Sequence, residues 1–260
     1  MPKKARRTQL QDARQHPIRV VPLHRPEAPS QAVAVAAPHL TYRNGPLLTA
    51  VQVFTVFWGS AWQQAPNSGL LKQINQFFDY ILTSQLIDQL GEYSVPPDLV
   101  IGHGSRVGTV VLTSPALGTS VQDNAIQQLL QQQIDSGRLP ATNPNTLYFL
   151  FLPEGVQVVQ GNTASCQSFC GYHDSFGSNV YYAVMPYPGC AGCTGGLAVS
   201  DALTSTTSHE LCEAITDPVP GQGWYDDSNG EIGDICAWKT RTLGGYTIQL
   251  EWSNHSGSCI

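Results

Sequence analysis

The chain has 260 residues, of which 42% are apolar and only 12% are charged, and its formal net charge is −6. The apolar share is ample for a core and argues against a disordered chain, and no apolar run approaches the ~20 residues of a membrane span. Few charges, with Gln, Ser, Thr, Asn and Gly in their place, are typical of secreted proteins.

Positive charge is confined to one part of the chain. Eleven of the thirteen Lys and Arg residues lie at or before Arg138, and none lies between Leu139 and Trp238. The same stretch holds ten acidic residues, seven of them between positions 210 and 234. Nothing there would pair with phosphates, so we expect no nucleic-acid partner. Such carboxylates either form a solvated acidic surface or converge on a cation from solution.

Residues 1–38 read as a tail that is basic at its start and then rich in Pro and Ala. This composition predicts a disordered arm, with a pro-segment as the alternative. We recognise no signal peptide, because AVAVAA at 32–37 is too short and too late for its apolar region. A single folded domain is expected over residues 39–260.

The folded part alternates predicted strands with predicted helices. β-Branched and aromatic runs predict the strands, and apolar residues at helical spacing predict the helices. The strands are expected at 51–59, 107–113, 145–153 and 179–188, and the helices at 67–90, 120–137 and around residue 209. Most strands are continuous apolar runs. The sequence therefore predicts an α/β or α+β domain with helices packed on a mixed sheet.

The stretch SHELCEAITDP, residues 208–218, carries the main functional signal. At ~100° per residue, one helical face presents His209, Glu210, Glu213 and Asp217. The opposite arc is apolar and is expected to pack into the core; it carries Leu211, Ala214 and Ile215. Asp217 precedes a proline, where an aspartate also commonly ends a helix.

This spacing has a chemical meaning. His209 and Glu213, at i and i+4, can ligate one zinc ion from adjacent turns, which leaves Glu210 beside the metal as general base on an activated water. A third ligand is expected from GEIGD, where Glu231 and Asp234 are the two choices; the other acid would orient a ligand. Asp226 and Asp227 are expected in a turn, and a calcium loop is the alternative there.

An ordered set of motifs resembles the EXORDIUM-like, phosphate-induced proteins of plants and their microbial relatives. It comprises YRNGPLLTAVQVFTVFWGSAW, CGYH, SHELCEAITDP, GWYDD, GEIGDIC and LEWSNHSGSC, and spans residues 41–259. The resemblance implies that Glu213 is the normal residue of a His-Glu-x-x-Glu helix, that the site is zincin-like, and that the protein is extracellular. It also implies that His173 is a metal ligand or transition-state donor, and that Tyr225 is an oxyanion donor.

The chain has seven cysteines. The four in CxxxC and CxxC, at 166, 170, 190 and 193, could form a structural zinc site or two disulfides. The family resemblance and the secreted-type composition favour disulfides. A further pair is expected between Cys236 and Cys259, which leaves Cys212 as a buried free thiol.

Three functions follow from these features. The first is a monomeric, zincin-like metallopeptidase with one zinc ion that hydrolyses peptides or proteins. The second is a secreted binding or signalling protein without turnover that keeps a structural metal, calcium or zinc. The third is a carbohydrate-active enzyme that uses Glu210 with a second carboxylate.

Overall fold

The computed structural model describes residues 20–25 and 37–260. Its strands are β1 Val20–Pro22, β2 Thr41–Tyr42, β3 Gln52–Trp58, β4 Ser105–Leu112, β5 Ser120–Gln122, β6 Thr146–Phe151, β7 Gln157–Gln160, β8 Thr163–Ala164, β9 Phe169–Phe176, β10 Val180–Met185, β11 Trp224–Tyr225, β12 Thr240–Leu243, β13 Tyr246–Gln249, β14 Trp252–Ser253 and β15 Ser258–Cys259. Its α-helices are α1 Asn67–Ile81, α2 Gln85–Leu90, α3 Asp123–Asp135, α4 Ala191–Thr194 and α5 Val199–Thr216. Short 3-10 turns lie at Ser60–Gln63, Gly91–Tyr93 and Asp234–Cys236.

The main sheet has six strands in the order β1-β9-β10-β6-β3-β4. Strands β10, β6, β3 and β4 run parallel to one another, whereas β9 runs antiparallel to β10 and β1 runs antiparallel to β9. The other described strands form one three-stranded sheet and three two-stranded ribbons. The expectation of a mixed sheet packed by helices is therefore confirmed.

Alternate residues of the parallel strands serve two separate cores. In β6, Leu147 and Phe149 pack with α1, α2 and α5, whereas Tyr148 and Leu150 pack with α3 on the opposite face. Side chains of a strand alternate between faces, so a strand covered on both sides is apolar throughout. This explains why the sequence shows continuous apolar runs there.

Two predicted helices differ from the structure at their ends. The periodic stretch 67–90 is broken into α1 and α2, because Ser84 takes an extended conformation and its side chain accepts the Leu86 N–H as the N-cap of α2. The stretch 120–137 begins with a strand, since Ser120–Gln122 pairs with β7 before α3 starts at Asp123. The four predicted strands correspond to β3, β4, β6 and β10.

The predicted tail is wrong for part of its length. Val20–Pro22 forms the edge strand β1, in which Val20 pairs with Tyr172 and Val21 with Gly171. Pro22 then accepts a hydrogen bond from the Trp238 indole at 2.8 Å. Of the other residues assigned to the tail, 1–19 and 26–36 lie outside the described residues.

The cysteines form three disulfides, Cys166–Cys190, Cys170–Cys193 and Cys236–Cys259, and Cys212 is a buried free thiol. Disulfides persist in oxidising compartments, so these bonds are compatible with an extracellular protein. Of the helices within residues 20–25 and 37–260, none has both the length and the hydropathy that a membrane span requires.

Candidate metal centre

Helix α5 carries the centre and is enclosed on two sides. It lies between the β9 and β10 end of the main sheet and the β12–β13 hairpin. Residues 202–216 are consequently buried on every face, which corrects the expectation of one apolar and one polar side. Leu211, Ala214 and Ile215 do pack in the core.

Gly171 allows β9 to pack directly on α5. A Cβ atom at this position would lie 2.8 Å from Thr206 Cγ2 and 3.4 Å from Glu210 Oε1. Two residues further along the strand, on the same face, His173 therefore reaches the helix. This contact brings a histidine from the sheet beside the acidic residues of α5.

The first group of metal-ligand side chains is formed by His209, Glu213 and Asp234, whose donor atoms lie within 4.8 Å of one another. His209 Nε2 is 2.9 Å from Glu213 Oε1 and 4.0 Å from Asp234 Oδ1. The Asp234 backbone N–H donates to Glu213 Oε1 at 3.1 Å, and this bond holds the loop against the helix. Of the two expected third ligands, Asp234 joins this group.

The second group shares Glu213 and adds His173 and Glu210, again with donor atoms within 4.8 Å. His173 Nδ1 is 3.0 Å from Glu210 Oε2 and 3.5 Å from Glu213 Oε2. Its other nitrogen, Nε2, bonds the Asp217 carbonyl oxygen at 3.1 Å. His173, which the family resemblance singled out, is thus part of the centre.

Glu231 and Asp217 lie on the far side of the His173 ring. Glu231 Oε1 is 3.4 Å from His173 Nε2. The Asp217 carboxylate accepts the backbone N–H groups of Gly221 and Gln222 at 2.6 and 3.0 Å, and also that of Gly223. The expectation that Asp217 shares the ligand face is therefore wrong: Asp217 ends α5, and its carboxylate organises the following turn.

Several buried oxygen and nitrogen atoms of the centre have no hydrogen-bond partner among the described residues. They are His209 Nδ1 and Nε2, Glu210 Oε1, Glu213 Oε2, both Glu231 oxygens and Asp234 Oδ1. The 2.9 Å contact of His209 with Glu213 is close enough for an ion pair but lacks hydrogen-bond geometry. Buried polar groups are rarely left unsatisfied in native proteins, and a cation is one common explanation. The donor set therefore fits a bound metal.

The pKa values of the side chains reflect the same crowding. Burial on its own raises the pKa of Glu213, but His209 and His173 outweigh burial and lower that pKa to about 2. Burial raises the pKa of Glu231 and of Asp234 well above the usual range. Glu231 and Asp234 therefore bind protons more tightly than free acids do, and a divalent ion would compete with those protons.

The histidines show the converse effect. Burial on its own lowers the pKa of His209 and of His173, but the surrounding carboxylates raise both pKa values well above the usual range. Burial also raises the pKa of Glu210, despite the hydrogen bond from His173. The centre is consequently a set of groups whose proton affinities are all displaced, as is common at functional sites.

Glu251 is a further acidic residue beside the centre. It is fully buried, and neither of its oxygens has a hydrogen-bond partner among the described residues. Burial raises its pKa well above the usual range, and His209 is the neighbour that lowers that pKa most. Sequence reasoning missed Glu251 because it stands alone in LEWS, with no acidic neighbour to draw attention to it.

Tyr225 and the adjoining aspartates occupy a neighbouring turn. Tyr225 is buried in β11, with the Arg43 guanidinium 4.6 Å from the ring centre; its role as an oxyanion donor stays a prediction. Asp226 accepts the backbone N–H groups of Ser228 and Asn229, as an aspartate in a turn does. Asp227 pairs with Arg43 at 2.6 Å.

The centre is sealed from the described cavities. His209, Glu210, Glu213 and Glu231 have no exposed surface, and His173 is 1% exposed. Two cavities of about 600 and 320 Å³ lie elsewhere: the first beside Gln89, Arg241 and His255, the second beside Glu154 and Tyr187. The sulfurs of Cys166, Cys190 and Cys193 also lie close together, but disulfides already occupy them.

No protein-family model matches the chain. A search of curated proteins likewise gives no significant match.

Proposed function

We propose that the chain is a zinc-dependent metallopeptidase in which Glu210 is the general base. One observation carries this proposal: the donor atoms of His209, Glu213 and Asp234 lie within 4.8 Å of one another, beside Glu210 on one buried helix. Glu210 Oε1 has no hydrogen-bond partner among the described residues, so no described protein group competes for its lone pairs.

The chemistry of the donor set favours zinc over calcium. His209 offers an imidazole nitrogen, while Glu213 and Asp234 offer carboxylate oxygens. Zinc accepts such a mixed set with three protein ligands, whereas calcium takes six to eight oxygens. Zinc bound there would polarise a substrate carbonyl and make a water molecule more acidic.

Glu210 is oriented for proton transfer by its neighbour. His173 Nδ1 lies 3.0 Å from Glu210 Oε2, which leaves Oε1 to accept a proton from the attacking water. The same carboxyl can then deliver that proton to the leaving amine nitrogen. Burial raises the pKa of Glu210 towards the range in which a carboxylate is an effective base.

Two further features support a zincin-like, extracellular protein. The helix that carries the His-Glu pair packs on the end of a mixed sheet where β9 is antiparallel, and the motif set resembles EXORDIUM-like proteins. Three disulfides suit secretion. We also propose that the chain acts as a monomer on peptide or protein substrates.

The test is hydrolysis of casein and of a peptide library with and without a chelator. The chelator should abolish cleavage, and zinc should restore it. Glu210→Gln should keep the zinc ion that lies between His209, Glu213 and Asp234, and it should lower the cleavage rate at least about a hundredfold, as loss of a general base does. Glu154→Gln, at an exposed glutamate, is the matched control. Undiminished cleavage by Glu210→Gln would refute the assignment.

A second function has an observation in its favour. The centre is sealed, which suits a structural metal in a secreted binding or signalling protein. That function predicts that Glu210→Gln is tolerated and that Glu213→Ala prevents folding. Release of reducing sugar independent of metal would instead support a carbohydrate-active enzyme.

A further inference from the structure

Glu213 lies between the two groups of ligands and presents a different oxygen to each. Its Oε1 atom is 2.9 Å from His209 Nε2, on the side of Asp234. Its Oε2 atom is 3.5 Å from His173 Nδ1, on the side of Glu210. A carboxylate placed in this way can bridge two cations.

His173 is oriented as a metal-ligating histidine usually is. Its Nε2 faces the Asp217 carbonyl oxygen at 3.1 Å, and because a carbonyl only accepts, Nε2 carries a proton. A ligating histidine almost always donates its other N–H to a carbonyl or carboxylate in this way. Nδ1 then carries a lone pair and faces Glu210 Oε2 at 3.0 Å and Glu213 Oε2 at 3.5 Å. The lone pairs of these three atoms repel one another unless a cation, or a second proton on His173, lies between them.

Unpartnered buried oxygens mark the same side of the centre. Glu213 Oε2 and Glu210 Oε1 have no hydrogen-bond partner among the described residues, and both side chains have no exposed surface. Both oxygens of the equally buried Glu231 are unpartnered too, but they lie on the far side of the His173 ring, where Oε1 is 3.4 Å from Nε2. Glu213 Oε2 lies on the His173 side rather than the His209 side, so its missing partner is evidence for a ligand beyond the first ion.

Charge points the same way. Six buried carboxyl groups belong to the centre or adjoin it: Glu210, Glu213, Asp217, Glu231, Asp234 and Glu251. Among the described residues, no arginine forms a salt bridge with these carboxyls: Arg43 pairs with Asp227, and Arg106 pairs with Asp79. If all six carboxyls ionise and both histidines are neutral ligands, one divalent cation leaves a formal charge of about −4 and a second leaves about −2.

We propose that the metal centre is dinuclear: one divalent ion lies between His209, Glu213 and Asp234, a second lies between His173, Glu210 and Glu213, and Glu213 bridges them. The first ion rests on the proposed function. Nitrogen and oxygen donors at both positions suit zinc and other first-row transition metals better than calcium. Glu210 would bind the second ion through Oε2 and keep Oε1 for proton transfer, and paired ions are established catalysts of hydrolysis.

The competing account makes His173 a permanent cation. A doubly protonated ring would donate from Nδ1 to Glu210 and from Nε2 to Asp217, which satisfies both nitrogens without a second ion. The two accounts differ in how many ions the chain holds at saturation. That number is independent of whether any substrate is cleaved.

The experiment measures bound zinc in the full chain by plasma mass spectrometry after dialysis at increasing free zinc. We expect the bound zinc to reach a plateau at about two ions per chain. His173→Gln should lower this plateau to about one ion. The control is His103→Gln, which replaces an exposed histidine paired with Asp88 and should leave the plateau at two. A plateau of one in the unsubstituted chain overturns the dinuclear centre. Active peptidase with one ion would overturn only this inference, whereas two ions without cleavage would overturn only the peptidase.

Two measurements keep the result clear. In the unsubstituted chain loaded with cobalt, a second equivalent should weaken the paramagnetic resonance signal of the first, because a shared carboxylate couples the two ions; independent signals would overturn the bridge. Thiol titration of the loaded chain in denaturant should find one thiol, Cys212. More than one thiol would assign the second ion to the cysteines at 166, 190 and 193 and overturn the proposal.

Discussion

Strand β9 separates two carboxylate clusters that are satisfied in different ways. Tyr172 and His173 are consecutive and point to opposite faces of the sheet. On one face, Asp123 accepts hydrogen bonds from the hydroxyl groups of Tyr172 and Tyr182 at 2.6 and 2.8 Å and from the Gln127 amide at 2.7 Å. On the other face, His173 lies beside the carboxylates of Glu210 and Glu213. Glu210 Oε1 and Glu213 Oε2 have no hydrogen-bond donor among the described residues.

The difference shows that a carboxylate surrounded by polar side chains does not by itself indicate a metal; Asp123 is also only half-buried, whereas Glu210 and Glu213 are fully buried. Asp123 needs no cation, since neutral donors satisfy its carboxylate. Glu213 and Glu210 lie among other acceptors, and two histidines cannot supply enough donors for all of them. The number of donors around each carboxylate, rather than the number of acids, distinguishes the metal centre from an ordinary polar cluster.

Glu213→Ala should have the largest effect, because Glu213 belongs to both ligand groups. We expect loss of all specifically bound zinc and, since its buried partners are left uncompensated, a fall of about 3–5 kcal/mol in the free energy of unfolding. Metal analysis and urea unfolding measure these quantities. Glu154→Ala, at an exposed position, should change neither. Full zinc content in Glu213→Ala would contradict the shared role of Glu213.

Chelated protein should lose stability as pH rises. Burial raises the pKa values of Glu231, Asp234 and Glu251 well above the usual range for carboxyl groups, so the folded state holds protons that the unfolded state releases. Their contribution is intact below the unfolded pKa and is lost as pH increases above it, by at most about 1.4 kcal/mol per group and pH unit.

Urea unfolding in chelator at pH 5, 6, 7 and 8 measures this trend, with zinc-loaded protein as the control. The loaded protein should show a much weaker loss, because bound cations stabilise the ionised carboxylates. Glu213 acts oppositely, since its pKa of about 2 makes its contribution disappear only under acid conditions. Equal stability of the chelated protein from pH 5 to pH 8 would show that these carboxyls are not buried as described.

Asp123→Asn tests the cluster on the opposite face. The substitution removes the negative charge that accepts hydrogen bonds from the Tyr172 and Tyr182 hydroxyl groups. It also leaves one amide oxygen as acceptor where the carboxylate offers two oxygens. We expect the free energy of unfolding to fall by about 1–3 kcal/mol. Zinc content, measured in the same samples, should be unchanged. A loss of zinc would mean that the two clusters are not independent.

Asp79→Asn should have the smallest effect. Asp79 is satisfied in a third way, by a two-point contact with the Arg106 guanidinium at 2.9 Å on the protein surface. Water screens this partly exposed pair, so we expect a change of at most about 1 kcal/mol in unfolding free energy. Thermal unfolding at low and high salt would measure it. A change as large as that of Asp123→Asn would contradict the ranking by burial.

Sequence patterns predicted the elements that have a clear period. The strands with continuous apolar runs and the helix that places His209 and Glu213 on adjacent turns follow from local spacing. Strand β9 was not predicted, because its residues FCGYHDSF lack both an apolar run and strict alternation. His173 was found through family resemblance alone, without the geometry that makes it important.

Other features depend on contacts between distant segments. Glu251 reaches the centre from a position 38 residues beyond Glu213, and no local pattern encodes that approach. The burial of α5 on all sides depends on the β12–β13 hairpin that covers it. Asp217 has the spacing of a metal ligand on the helix, but its carboxylate accepts hydrogen bonds from backbone N–H groups of the next turn instead. Tertiary contacts decide such cases.

The most direct test of the metal centre is elemental analysis of the protein purified without added metal. We predict at least one zinc per chain, lost in His209→Ala and retained in His103→Ala, which removes an exposed histidine. Absence of any divalent metal from the unsubstituted chain, or zinc retained in full by His209→Ala, would contradict the assignment and leave α5 as a structural helix.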